Sequence, residues 1–198
     1  KLAARTAKRG IAYIDAGMSG GPTGADAGRL TLMVGGDLDA FRRTKKFLAP
    51  VAKHIFYLGE SGAGHSMKLI HNIVCHATFL ATCEAGHLAE RVGLQLADMV
   101  KVFNVSNARS YASEFRFPRN ILSGKWDAKS RIYNLHKDLK MGVALGRRAG
   151  AERKFAEATL RFLETAMARG MKDKDYALLY RDFEKIRKSP RRAIKRVG

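Results

Sequence analysis

The pattern of apolar and polar positions changes after the first third of the chain. Three short apolar runs at 11–14, 30–34 and 54–58 end at turn-forming residues, and such runs predict β-strands. Helical periodicity predicts helices over residues 1–9 and 37–48. In the second of these, Asp37 is the expected N-cap, and Leu38, Phe41 and Phe47 are expected to face inward. Residues 1–60 therefore predict mixed α/β structure.

From residue 61 onward the pattern is helical throughout. Residues 66–91 form one long predicted helix whose apolar positions extend nearly around it, which is typical of a helix buried among others. Further helices are predicted at 96–105, 115–122, 135–149, 151–169 and 175–186. The sequence thus predicts an α/β part at 1–60, an all-α domain at 61–184 and a basic tail at 185–198.

Charge and cysteine content narrow the class of protein. The net charge is +19, much of it in the tail, so nucleic acid or an acidic ligand has to be considered. A solvated basic surface with a disordered tail is the simpler interpretation, because the sequence carries no zinc-finger or RNA-binding signature. The two cysteines, Cys75 and Cys83, lie more than two helical turns apart, too far for a disulfide, which favours a reduced, cytosolic setting. No run of 18 apolar residues predicts a membrane span.

Two segments concentrate the candidate chemistry. The first is Asp15-x-x-x-Ser19-Gly20-Gly21, predicted as a glycine-dense turn after a strand, whose backbone N–H groups and Ser19 hydroxyl can hold a carboxylate. The second puts Lys68 and Asn72 four residues apart on one face of the long helix. A lysine on a mostly apolar helix either extends to the surface or has a task there, and a partly desolvated lysine can exchange a proton near neutral pH.

Three motifs, in order, carry a resemblance to a known family. They are Asp15 to Gly21, the Gly-x-Gly-x-x-x-Lys-x-x-x-Asn segment from Gly62 to Asn72, and Lys137-Asp138-Leu139. With them the chain resembles the β-hydroxyacid dehydrogenases, which include 3-hydroxyisobutyrate dehydrogenase, tartronate semialdehyde reductase and relatives of 6-phosphogluconate dehydrogenase. The resemblance covers roughly residues 1–184 and implies the end of a Rossmann-type α/β domain followed by a 6-phosphogluconate dehydrogenase-like all-α domain.

The resemblance also implies a function and its residues. It implies an NAD- or NADP-dependent oxidoreductase that acts on a small β-hydroxy acid or its semialdehyde and assembles as a homo-oligomer, a dimer or tetramer. Lys68 is then the catalytic acid/base, while Ser19, Gly20, Gly21 and Asn72 bind the substrate. Lys137 contacts the cofactor, with the aromatic Tyr133 close to the site, although Lys137-Asp138 also fits a plain surface pair. No metal is implied. Such an enzyme is cytoplasmic, or lies in the mitochondrial matrix in a eukaryote.

The sequence departs from the family pattern at several points. No Gly-x-Gly-x-x-Gly turn follows a strand near the start, so we expect a C-terminal fragment that lacks most of the dinucleotide-binding domain and is inactive alone. Gly17 stands where the family commonly has Pro, Met18 where Val is frequent, and His71 where Asn is frequent. The alternative is a non-catalytic family member that acts as a nucleic-acid- or chromatin-associated binding module.

Other apparent motifs are weaker. The segment 59–66 nearly spells a P-loop, but His65 occupies the position of the essential lysine, and the glycine spacing does not fit a Rossmann turn. Pairs four residues apart on the long helix, such as His71 with Cys75 and Cys83 with His87, could begin a metal site. A straight helix cannot complete a tetrahedral shell alone, so core packing is the favoured interpretation.

Overall fold

The computed structural model describes residues 2–187, whose elements follow the predicted change from α/β to helical structure. The strands are β1 (Ile14–Ser19), β2 (Leu30–Gly36) and β3 (Ala52–Tyr57). The α-helices are α1 (Leu2–Ala7), α2 (Gly21–Asp26), α3 (Leu38–Leu48), α4 (Ala63–Arg91), α5 (Leu96–Asn104), α6 (Ile132–Arg148), α7 (Lys154–Ala166), α8 (Leu178–Arg181) and α9 (Phe183–Arg187). Two π-helical segments, Ala112–Leu122 and Met167–Met171, and a 3-10 turn, Ala49–Val51, complete the helical elements of residues 2–187.

The chain forms two compact units. The first runs to Val74 and includes Met141–Glu152, and the second comprises Cys75–Lys140 and the residues from Arg153 on. The division falls inside α4 and α6, so the start of α4 belongs to the α/β unit. The domain bounds 1–60, 61–184 and 185–198 remain predictions, and residues 188–198 of the predicted tail lie outside the described residues.

The first unit is built on a three-stranded sheet in the order β1-β2-β3. β2 runs antiparallel to β1, pairing Ser19 with Thr31, and parallel to β3, because α3 provides the crossover between them. Asp37 caps α3 as predicted, its Oδ1 accepting from the Ala40 N–H at 2.6 Å. The core of this unit consists of Leu30, Leu32, Val34, Phe41 and Ala52.

The structure corrects the predicted position of the first strand. The expected strand at 11–14 is wrong: β1 begins at Ile14 and runs through Ser19, so the segment expected to be a turn is mostly strand. Glycines usually indicate turns, but Gly17 lies within the antiparallel pairing with β2, opposite Met33. The turn begins at Gly20, whose φ is 131°.

Two predicted burial patterns are also wrong. Phe47 is 70% exposed and Leu38 39% exposed, while α3 buries Ala40 and Phe41. Phe47 lies six residues after Phe41, about 240° around the helix, and so points away from the sheet. Helix α4 is not buried on all sides, because an apolar row along it is exposed: Met67 39%, Ile70 50%, Val74 59% and Leu88 62%.

The second unit packs its helices around aromatic side chains. Phe79 lies edge-on to Tyr176, with ring centroids 5.0 Å apart, and Phe117 edge-on to Tyr180 at 5.4 Å. The predicted helix at 115–122 begins earlier, at Ala112, and is a π-helix that contains Pro118, which lacks a backbone donor. The helix predicted over 151–169 ends as an α-helix at Ala166, and Gly170 has a φ of 75°. Within residues 2–187, no helix combines the length and apolar character needed to cross a membrane.

Candidate active site

Asp15 joins strand β1 to the start of α4. Its carboxylate accepts the backbone N–H of Gly62 at 2.5 Å through Oδ1 and that of His65 at 2.9 Å through Oδ2. The side chain is 1% exposed, and the His65 ring nitrogen Nδ1 lies 3.4 Å from Oδ2. Because the first N–H groups of a helix have no partner within it, Asp15 acts as an N-terminal cap supplied from a distant strand.

Glycines allow the start of α4 to lie directly on the sheet. A Cβ at Gly64 would overlap the Met33 carbonyl oxygen and lie 2.9 Å from the Asp15 carbonyl oxygen. A Cβ at Gly35 would lie 2.6 Å from the Glu60 carbonyl oxygen. The backbone approach here is too close for any side chain, so packing explains the glycine at position 64. Gly62 has open space around its Cβ position, and its φ of 98° is the reason for a glycine there.

Lys68 lies one helical turn after this contact, on the half of α4 that belongs to the first unit. Lys68 is half-buried and Asn72, four residues on, is only 4% exposed. A Cβ at Gly17 would lie 2.6 Å from the Lys68 Cβ. The absence of a side chain at Gly17 therefore allows β1 to approach Lys68 this closely.

Three polar side chains meet between the end of β1 and α4. The Ser19 hydroxyl oxygen lies 3.5 Å from His71 Nε2, and His71 Nδ1 lies 2.9 Å from Asn72 Oδ1. The structure thus brings Ser19 of the first motif next to His71 of the second, and His71 in turn contacts Asn72. The sequence marks His71 as a departure from the family pattern and as one half of a possible metal-binding pair, and no spacing rule identifies it as the link to Ser19.

The glycines that follow Ser19 form a tight turn into the short helix α2. Gly20 has a φ of 131° and Gly21 a φ of 62°, values that side-chain-bearing residues rarely adopt. A Cβ at Gly20 would lie 3.0 Å from Leu30 Cδ2, whereas a Cβ at Gly21 would meet no atom within 4 Å. Gly21 therefore borders open space at the predicted carboxylate turn.

Lys137 lies on α6 in the second unit. Its ammonium is 3.3 Å from Asp138 Oδ1, and its side chain is 49% exposed. This is the surface pair that the sequence left open, and the cofactor role of Lys137 remains a prediction. Tyr133, 38% exposed, has the Lys172 ammonium 5.4 Å from its ring centroid, and sequence reasoning had not singled out Lys172.

The histidines and cysteines further along α4 take part in packing. His87 stacks on Tyr180 at 4.5 Å between centroids and donates from Nε2 to the Tyr180 carbonyl oxygen at 2.8 Å. Neither Cys75 nor Cys83 forms a disulfide, and burial raises the pKa of Cys83 well above its ordinary value. Among residues 2–187, no three histidine, cysteine, aspartate or glutamate side chains are grouped as a metal site would require.

Comparison with known families matches both parts of the chain. Residues 62–183 match the model described as the NAD-binding domain of NADP-dependent 3-hydroxyisobutyrate dehydrogenase. The chain belongs to this family. Residues 1–59 match the model of the NAD-binding domain of 6-phosphogluconate dehydrogenase. The predicted fold class, an end of a Rossmann-type domain followed by an all-α domain, is confirmed, and the cofactor of the family is NAD or NADP.

Individual relatives agree with the family models. The chain is 30% identical to 2-(hydroxymethyl)glutarate dehydrogenase of Eubacterium barkeri over 94% of this chain and 62% of the relative. It is 29% identical to a probable mitochondrial 3-hydroxyisobutyrate dehydrogenase of Arabidopsis thaliana over 86% of this chain and 51% of the relative. Mycobacterium tuberculosis 3-hydroxyisobutyrate dehydrogenase, solved with L-serine, superimposes with a TM-score of 0.84 at 26% identity, covering 92% of this chain and 64% of that one. The chain thus spans less than two thirds of these relatives.

Proposed function

We propose that the protein carrying this chain is an NAD(P)-dependent dehydrogenase of a small β-hydroxy acid or its semialdehyde. The observation that carries the proposal is the meeting of the two motifs within one unit: Ser19, which ends β1, lies 3.5 Å from His71, on the α4 turn between Lys68 and Asn72. A carboxylate-binding turn beside a helix with a half-buried lysine suits a substrate that has an acid at one end and a hydroxyl at the other.

In the proposed reaction Lys68 takes the proton of the substrate hydroxyl during oxidation and returns it during reduction. The bound nicotinamide supplies or accepts the hydride. Asn72 orients the substrate, and the backbone N–H groups at Gly20 and Gly21 hold its carboxylate. Gly17 fixes the approach of β1 to Lys68, so that the lysine is held by packing.

The residues of this chain suit an anionic dinucleotide only in part. The ammonium of Lys137, half exposed on α6, is a suitable donor for such a cofactor. The chain contains no Gly-x-Gly-x-x-Gly turn after a strand, the element that holds the pyrophosphate in Rossmann domains. Lys137 therefore contributes to a cofactor site whose phosphate-binding turn is not found in this sequence.

We also propose that the protein is a homo-oligomer assembled through α4. The four exposed large apolar residues of α4 lie on one side of the helix: Met67, Ile70, Val74 and Leu88. Exposed apolar rows of this kind mark association sites. A cytoplasmic or mitochondrial location is consistent with two cysteines that form no disulfide and with the mitochondrial relatives.

The function is tested with the full-length protein and a set of small β-hydroxy acids. Formation of reduced nicotinamide is measured for each acid with NAD and with NADP. Turnover that requires both acid and dinucleotide is expected. No turnover with any acid, together with salt-sensitive binding of DNA, would instead favour the non-catalytic binding module.

A further inference from the structure

His71 links two residues of the proposed substrate site. Its ring is half-buried, with Nδ1 2.9 Å from Asn72 Oδ1 and Nε2 3.5 Å from the Ser19 hydroxyl. The second distance is long for a hydrogen bond with a hydroxyl donor, and contacts of this kind commonly tighten when a ligand occupies the site. Each ring nitrogen is thus directed at one polar group of the site.

The partners of His71 determine where its proton lies. The amide oxygen of Asn72 can only accept a hydrogen bond, so Nδ1 must carry the proton of the neutral ring. Nε2 then has a lone pair and can only accept. The hydroxyl of Ser19 is therefore the donor in its contact with Nε2.

This assignment changes what Ser19 offers to a substrate. A serine hydroxyl has one proton, and here it is directed at His71. The oxygen of Ser19 keeps its lone pairs and presents an acceptor to the site. A carboxylate, which also only accepts, then finds its donors in the backbone N–H groups at Gly20 and Gly21, one and two residues further on.

We propose that His71 makes Ser19 a hydrogen-bond acceptor and that the site thereby selects β-hydroxy acids with a donor, a hydroxyl or an ammonium group, on the carbon beside the carboxylate. This inference rests on the proposed function, because it takes the carboxylate to lie at the Gly20–Gly21 turn. A site that hydrogen-bonds such a group discriminates against the analogue that lacks it, since the site's own polar group is then left without a partner.

A matched pair of acids tests the selection. Glycerate and 3-hydroxypropionate differ by one hydroxyl on the carbon next to the carboxylate. We expect kcat/KM for glycerate to exceed that for 3-hydroxypropionate about tenfold or more in the full-length protein. We expect the ratio to fall below about threefold in Ser19→Ala and in His71→Phe, with no further fall in the double variant.

The control is His54→Phe, because His54 is an exposed histidine on β3 of the same unit. It should keep the wild-type ratio, whereas a merely structural loss at His71 would lower kcat/KM for both acids equally. Nitrogen NMR of His71 reports the tautomer directly, and titration of its ring signals gives the dissociation constant of each acid without turnover.

The outcomes separate the two claims. An Nε2–H tautomer, or a His71→Phe protein that keeps the wild-type preference in kcat/KM or in binding, would overturn the role of His71. Binding that prefers glycerate without any turnover would leave the selection standing and remove the proposed function.

Discussion

At the residue scale, the two glycines of the Ser19–Gly21 turn differ in what a side chain would meet. A residue at Gly20 would combine a φ of 131° with a Cβ 3.0 Å from Leu30, a buried core residue. Substitution there would disturb the fold as well as any ligand. Gly21 has open space around its Cβ direction, so a substitution there reports on binding with less damage to the core.

We predict that Gly21→Ala raises KM for the acid about tenfold or more while the cofactor Kd changes little, because the methyl group intrudes where the carboxylate approaches the backbone. Gly10→Ala is a matched control: its φ is 66° against 62° at Gly21, and its Cβ would also meet nothing within 4 Å. Both variants should lose about 1–2 kcal/mol of unfolding free energy from the left-handed backbone. An equal KM for Gly21→Ala and Gly10→Ala would mean that the carboxylate binds elsewhere.

Local sequence signals identify the motif residues but not their partners. Lys68 and Asn72 could be placed on one helical face because four residues make about one turn. The contact of Ser19 with His71 joins positions 52 residues apart, and it depends on how β1 packs on α4. Only the folded structure gives that distance.

At the scale of elements, the site depends on the contact between the start of α4 and the sheet. The Asp15 carboxylate caps the helix, while Gly35 and Gly64 remove the side chains that would separate helix and sheet. The helix was predicted from Ser66 but begins at Ala63, because the cap comes from β1 and not from a neighbouring residue. A capping rule that considers only neighbouring residues cannot identify a cap that comes from a distant strand.

We predict that Gly64→Ala lowers the free energy of unfolding by about 3 kcal/mol, since its methyl group would overlap the Met33 carbonyl oxygen, and backbone cannot move aside as a side chain can. Gly24→Ala, whose Cβ would lie an ordinary 3.6 Å from Leu30 Cδ2, should change it by less than about 1 kcal/mol. Chemical denaturation of both variants measures the difference. Equal stability of the two would show that the close approach of α4 to the sheet is not required.

At the scale of the whole molecule, charge and exposed apolar surface point to different partners. The net charge of +19 provides long-range attraction for anions, and this attraction falls off with added salt. The apolar row on α4 is instead suited to a second copy of the chain. Composition revealed the charge, whereas the exposure of α4 was mispredicted, because apolar periodicity does not distinguish burial within a chain from burial between chains.

We predict a dimer or larger homo-oligomer for the full-length protein at micromolar concentration, measured by light scattering. Val74→Asp should shift the mass toward the monomer, because Val74 is 59% exposed within the apolar row and a buried unpaired carboxylate is costly. Phe155→Asp provides the control, since Phe155 is an apolar residue of a different helix, α7, and is 85% exposed. A monomeric wild type would contradict assembly through α4.

The most direct test of the central claim, that Lys68 transfers the substrate proton, is turnover of Lys68→Ala in the full-length protein. We predict that kcat falls by several orders of magnitude while the cofactor Kd and the unfolding midpoint stay close to wild type. Lys53→Ala, an exposed lysine on β3 of the same unit, should keep wild-type turnover. Near-normal turnover of Lys68→Ala would contradict the account.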